Sequence, residues 1–255
     1  MIFDSHCHLN DDPLYNDISN VLQRAKDNNV NRFVVVGWDY SSSLRAVELA
    51  EKYDCCYAAV GYHPCDVENV DEAEFTKCMA LLSHPKVVAL GEIGLDYYWV
   101  KEPDKKANQK AWFIRQIKEA DKAAKPIIIH NRESTGDCLE IIKENIPKFG
   151  GVVHCFSSSV EVAKEFIKLG LYISVGGTLT FKNSRQPKEV AEAIDLSYIL
   201  VETDCPYLTP HPFRGKQNEP SYIPLVVTKL AEIKNTSVEE VERITYENTN
   251  KLFHV

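Results

Sequence analysis

Three of the first eight residues could hold a cation. In the opening stretch MIFDSHCHLN, Asp4, His6 and His8 stand at alternate positions. Successive side chains of an extended strand point to opposite faces, so this spacing directs a carboxylate and two imidazoles to one side. A lone buried histidine is commonly satisfied by one backbone partner, whereas two imidazoles beside a carboxylate form a donor set suited to a divalent ion. The same residue types recur further on: His63 in GYHP, Glu92 and Asp96 in GEIGLDY, His130 and Arg132 in HNR, His154 in HCF, and Glu202 and Asp204 in ETDCPYL.

Residues so far apart need a scaffold that gathers them. Eight short runs rich in valine and isoleucine recur at 2–5, 32–37, 56–61, 87–91, 126–130, 151–154, 171–175 and 198–202. Continuous apolar strands are buried on both faces, as in a parallel sheet covered by helices. Helical spacing fills the intervals at 14–29, 41–53, 71–82, 103–124, 134–145, 157–170 and 187–194, and two more helices follow at 221–234 and 238–253. In SSSLRAVELAEKY a serine is the expected cap, with Leu44, Val47, Ala50 and Tyr53 on one stripe. SSSVEVAKEFIKLG repeats the design with Val160, Ala163, Phe166 and Ile167 before Gly170, and Thr236 or Ser237 is expected to cap the last helix.

Eight strands alternating with helices in 255 residues predict an α/β protein with the (β/α)8 TIM-barrel architecture. A doubly wound open sheet is the competitor, but no glycine-rich phosphate turn follows the first strand. Without a linker, low-complexity segment or repeat, the expectation is a single TIM-barrel domain over residues 1–255.

Composition sets further bounds. With 44% hydrophobic and 26% charged residues the chain reads as folded, and a net charge of −8 disfavours a broad nonspecific grip on nucleic acid. No apolar run approaches the roughly 20 residues of a membrane span, and no basic-then-apolar leader opens the chain. The eight cysteines contain no CxxC pair and read as reduced thiols, which predicts a cytoplasmic protein without membrane or obligate protein partners.

Barrel enzymes build their sites at the C-terminal ends of the strands, and five of the eight histidines end a predicted strand there. Four imidazoles with two carboxylates exceed what one tetrahedral ion takes, so the expectation is two divalent metal ions with Glu92 or Asp204 bridging. Nitrogen-rich ligation suits Zn, Mn, Fe, Co or Ni, while Mg would need waters to complete its shell. His84, His211 and His254 read as structural, and Asp4 as a group that holds a ligand histidine from behind. Cys7 and Cys205 read as packing residues. Tyr97, Tyr98 and Trp99 either cover the barrel mouth or offer faces on which bases stack.

In this order and spacing, DSHCHL, GYHP, GEIGLDYY, IIIHNR, GGVVHCF and VETDCPYL resemble the TatD family of metal-dependent deoxyribonucleases across nearly the whole chain. One departure is Cys205, where the family more often carries serine or alanine. The resemblance implies an amidohydrolase-type barrel in which His6, His8 and Asp204 hold one ion, His130 and His154 the other, and Glu92 bridges them. It also implies DNA as substrate, with removal of nucleotides from a 3′ end. Asp204 is the candidate general base, and His63, Arg132 and Arg214 are candidates for contact with the phosphate. The same kind of site could instead hydrolyse amides, esters or lactones. An idle barrel fits poorly with a complete ligand set. A phosphoesterase of the polymerase-and-histidinol-phosphatase type fits poorly with eight strands and the late ETD segment.

Overall fold

The computed structural model describes all 255 residues. Eight parallel strands run in sequence order around one sheet: β1 (Ile2–Cys7), β2 (Val30–Val36), β3 (Cys56–Val60), β4 (Val87–Asp96), β5 (Ile127–Arg132), β6 (Gly151–Val153), β7 (Leu171–Val175) and β8 (Ile199–Val201). The helices are α1 (Asp12–Tyr15), α2 (Ile18–Asp27), α3 (Tyr40–Lys52), α4 (Glu72–Ala80), α5 (Pro103–Lys122), α6 (Thr135–Glu144), α7 (Val160–Lys168), α8 (Arg185–Ala193), α9 (Ile223–Lys234) and α10 (Val238–Phe253). This is the expected (β/α)8 barrel. No helix is long and apolar enough to cross a membrane.

Two apolar layers hold it together. The inner one takes Phe3, Val34, Val36, Ala59, Val88, Ile128, Val152 and Leu200 from seven strands, together with Leu252 and Phe253 from the end of α10. The larger outer layer joins the other strand faces to the helices, with Ile2, Cys7, Phe33, Ile129 and Val201 against Phe113, Phe166 and Leu230. The seam between β8 and β1 is hydrogen-bonded at the site end: the Asp204 N–H donates to the His6 carbonyl (2.9 Å), and the His8 N–H to that of Cys205 (2.8 Å). The Ser5 hydroxyl adds a bond to the Val201 carbonyl (2.9 Å).

Local departures from the sequence expectation have identifiable causes. The cap of α3 is Asp39 rather than a serine: its carboxylate accepts from the Ser42 N–H (2.7 Å), while the Asp39 N–H donates to the Ser42 hydroxyl (2.9 Å). The helix expected over 14–29 divides into α1 and α2, because Asp17 leaves helical geometry and its carboxylate takes bonds from Asn20 and Arg24. Ser159 and Ser237 do cap α7 and α10, and Gly170 lies in the left-handed region after α7.

Strand β4 runs five residues beyond its expected end at Gly91, carrying Glu92 and Asp96 within the ladder. Gly94 permits this: it pairs with His130 on β5, has φ +143°, and a Cβ there would collide with the His130 carbonyl oxygen. Gly94→Ala is therefore expected to lower the unfolding free energy by about 1–3 kcal/mol or more. Gly136→Ala, in α6 and facing open space, is expected to be neutral or stabilising by up to about 1 kcal/mol. Denaturant unfolding of the two variants checks this contrast; equal effects would contradict it.

Candidate metal centre

A break in strand regularity aims the first two imidazoles. The β1–β2 register slips by one residue between Asp4 and Cys7, so Ile2 and Cys7, five apart, both pack in the outer layer. Such a bulge breaks the strict alternation expected for Asp4, His6 and His8. His6 and His8 come together, Nε2 to Nε2 3.2 Å apart. Asp4 turns elsewhere, accepting from the Thr203 hydroxyl (2.5 Å), the Thr203 N–H (3.0 Å) and the His6 N–H (3.3 Å). It braces the main chain at the β1–β8 seam and touches no ligand imidazole, which corrects the expectation that it holds one from behind. A second slip, between Leu90 and Ile93, lies at Glu92.

Glu92 sits at the centre, and its two oxygens face different imidazole pairs. Oε2 lies 3.4 Å from His6 Nε2 and 3.7 Å from His8 Nε2. Oε1 lies 2.6 Å from His130 Nδ1 and 2.7 Å from His154 Nε2. Asp204 Oδ1 completes the first group, 3.7 Å from His6 and 3.5 Å from His8. A tetrahedral ion with bonds of about 2.0–2.2 Å separates its ligand atoms by roughly 3.3–3.6 Å. In the first group the His6–His8 separation and those from each imidazole to Glu92 and to Asp204 are 3.2–3.7 Å, which is the spacing such an ion needs.

Hydrogen bonds behind the rings set their tautomers. His8 Nδ1 lies 2.9 Å from the Val36 carbonyl, a partner that only accepts, so Nδ1 carries the proton and Nε2 offers its lone pair to the cluster. His130 Nε2 lies 3.0 Å from Asp96 Oδ2, which leaves Nδ1 facing Glu92. Neutral imidazole lone pairs pointing at a carboxylate are acceptors facing acceptors, an arrangement that a shared proton or a cation between them resolves. The first group therefore fits a divalent ion; in the second, His130 Nδ1 and His154 Nε2 stand at that spacing (3.3 Å), with Glu92 Oε1 at hydrogen-bond distance from each. Glu202, fully buried, accepts from the Cys155 N–H (2.7 Å) and the Ser174 hydroxyl (2.5 Å), with Oε1 3.6 Å from His154 Nδ1.

Charge follows from this packing. Burial opposes ionisation of Glu92, but His154, His130 and His6 outweigh it and hold the carboxyl well below the usual range. Burial likewise works against Asp204, and the His8 hydrogen bond with the charges of His154 and His6 keeps it low. For His154, burial is overcome by Glu92 and Glu202, which push its pKa well up. His6 goes down, through burial and the nearby His154.

The structure thus brings His6, His8, Glu92, His130, His154 and Asp204 together, with His63 at the edge, its Nε2 3.9 Å from Glu92 Oε1. It does not bring in the two arginines. Arg132 is exposed and lies over the Tyr98 ring, 4.0 Å from its centroid; Arg214, also exposed, lies over Phe181 at 4.3 Å. His84 binds Glu51 and the Lys86 N–H at the base of the barrel, while His211 and His254 stand apart from the cluster. Asp96 and Glu202 are the positions whose work the sequence did not reveal. A carboxylate closing a strand beside a strand that ends in histidine is the signal that marks them.

A family model described as TatD related DNase matches residues 3–254. An uncharacterized metal-dependent hydrolase of Bacillus subtilis strain 168, YabD, is 48% identical, with all of both chains aligned. YcfH of Escherichia coli K12, also described as an uncharacterized metal-dependent hydrolase, is 36% identical over all of this chain and 96% of its own. The crystal structure of YjjV, a TatD homolog from Escherichia coli K12, superposes with a TM-score of 0.94 at 32% identity, covering 100% of this chain and 98% of that one.

Burial pushes the Asp4 carboxyl up to about 7 from 3.8, although the Thr203 and His6 bonds pull it down. A folded-state pKa above the unfolded value favours folding fully below pH 4, and that contribution is lost as pH rises through about 7. The stability difference between the protein and Asp4→Asn is therefore expected to shrink from pH 4 to pH 7, measured by denaturant unfolding at several pH values. A difference that stays flat would contradict the assignment.

Proposed function

The chain belongs to the TatD family of metal-dependent hydrolases, and from that premise we propose that it hydrolyses phosphodiester bonds of DNA as a 3′–5′ exonuclease acting through two divalent ions. The observation that carries the two-ion reading is the division of Glu92: one oxygen toward His6 and His8, the other toward His130 and His154. In it His6, His8 and Asp204 would hold one ion and His130 and His154 the other, with Glu92 within reach of both. Two such ions supply a water of lowered pKa and neutralise charge gathering on the phosphate oxygens.

The side chains have separate tasks. Asp204 is the most open carboxylate of the cluster, its side chain 14% exposed against 5% for Glu92, 1% for Asp96 and none for Glu202. It is therefore the one that water and substrate reach, and the general base of this reading. Its backbone at φ 55° sets the carboxylate at the mouth just after the bond to His6. His63 Nδ1 accepts from the Cys65 N–H (3.2 Å), which leaves the Nε2 proton toward the mouth to donate to a phosphate oxygen. Arg132 and Arg214, exposed on their aromatic partners, would meet the strand further out.

Asp204→Asn should keep the fold by circular dichroism and lower kcat by about 10²–10⁴; unchanged turnover would refute the base role. Asp96→Asn should weaken divalent-ion binding by about 10–100-fold, read by competition with a chelating dye. Metal-loaded protein given oligonucleotides blocked at either end, beside a panel of esters, lactones and amides, tests the substrate. Degradation of 5′-blocked but not 3′-blocked strands is expected, and turnover of the carbonyl compounds alone would transfer the site to the other chemistry.

A further inference from the structure

We propose that Tyr98 and Trp99 form a stacking platform for an unpaired base of the strand being cleaved, an inference that rests on the nuclease reading and deepens it. The two rings are exposed, Trp99 by 67% and Tyr98 by 41%. They meet edge to face, with centroids 4.8 Å apart and planes at 85°, so the contact takes up at most one of the four ring faces. Arg132 lies over Tyr98 at 4.0 Å and Lys101 within 5.7 Å of the same ring, while Trp99 has Arg132 only at 5.8 Å. Lys101 also pairs with Glu133 (3.1 Å). Exposed aromatic faces beside cations, on a protein of net charge −8, are the combination that takes a base and its phosphate together.

The platform is fastened to the metal centre. Asp96 Oδ1 accepts from the N–H groups of both Tyr98 and Trp99 (2.9 Å each), while Oδ2 of the same carboxylate holds His130 (3.0 Å). A second exposed pair, Tyr207 and Leu208, follows Asp204, with the Tyr207 ring 6.2 Å from that of His8. Two apolar edges thus rise from the ends of β4 and β8, the strands beside Glu92 and Asp204. A base held in a duplex stack has no free face for Trp99, so the platform selects single-stranded or frayed ends.

The test compares metal-loaded protein with Trp99→Ala and Trp99→Phe on a single-stranded oligonucleotide and on bis(p-nitrophenyl) phosphate. In Trp99→Ala, the ratio of kcat/KM for the oligonucleotide to that for the small diester is expected to fall about tenfold, mainly through KM. Trp99→Phe should restore most of it. Abasic residues at the 3′ end should cost the wild-type protein a similar factor and Trp99→Ala little more. Cleavage with an unchanged ratio in Trp99→Ala, no rescue by Phe, or additive losses with the abasic strand would overturn the platform alone. A wild-type protein that cleaves the small diester but no oligonucleotide would overturn the nuclease reading and the platform with it.

Discussion

The top of this barrel is organised around one buried carboxylate within reach of four imidazoles. Glu92 is nearly inaccessible to water, and an isolated anion there would be costly. The surrounding histidines reverse the balance, so the group stays charged because His6, His8, His130 and His154 converge on it. Each of those rings is supplied by a different strand end or by the bulge of β1, so the cluster exists only where the barrel is closed. Shape and charge are in this sense a single constraint.

Several features of the backbone serve that convergence. Register slips in β1 and β4 fall beside the residues that carry donors, where an extra residue re-aims side chains without ending the strand. Gly94 lets β4 continue against His130. Behind the rings, the Val36 carbonyl and Asp96 fix which nitrogen faces inward, and Asp4 ties β1 to the segment that carries Asp204. The donors are thus set by the fold itself, which is what tight, specific ion binding requires.

Much of this could be read from the sequence, for a physical reason. Strands buried on both faces appear as unbroken apolar runs, so all eight were visible, and polar residues closing such runs had to be at one rim. His6, His8, Glu92, His130, His154 and Asp204 were recognisable on that ground as members of a wider set with His63, Asp96, Arg132 and Glu202, and the family resemblance singled out the six. What stayed hidden depended on geometry that residue type does not encode. The bulge that separates Asp4 from His6 and His8 leaves no composition mark. The continuation of β4 past Gly91 reads as a loop because glycines usually end strands. Asp39 replaced the expected serine cap because caps are chosen by side-chain reach, and Arg132 and Arg214 found aromatic partners instead of the cluster.

The central claim is that Glu92 is shared by two cations. Anomalous diffraction from crystals soaked in manganese tests it most directly. The account predicts two peaks about 3.5–4 Å apart, one among His6, His8 and Asp204 and the other between His130 and His154, with a Glu92 oxygen on each. A single peak, or two that leave Glu92 unligated, would contradict it.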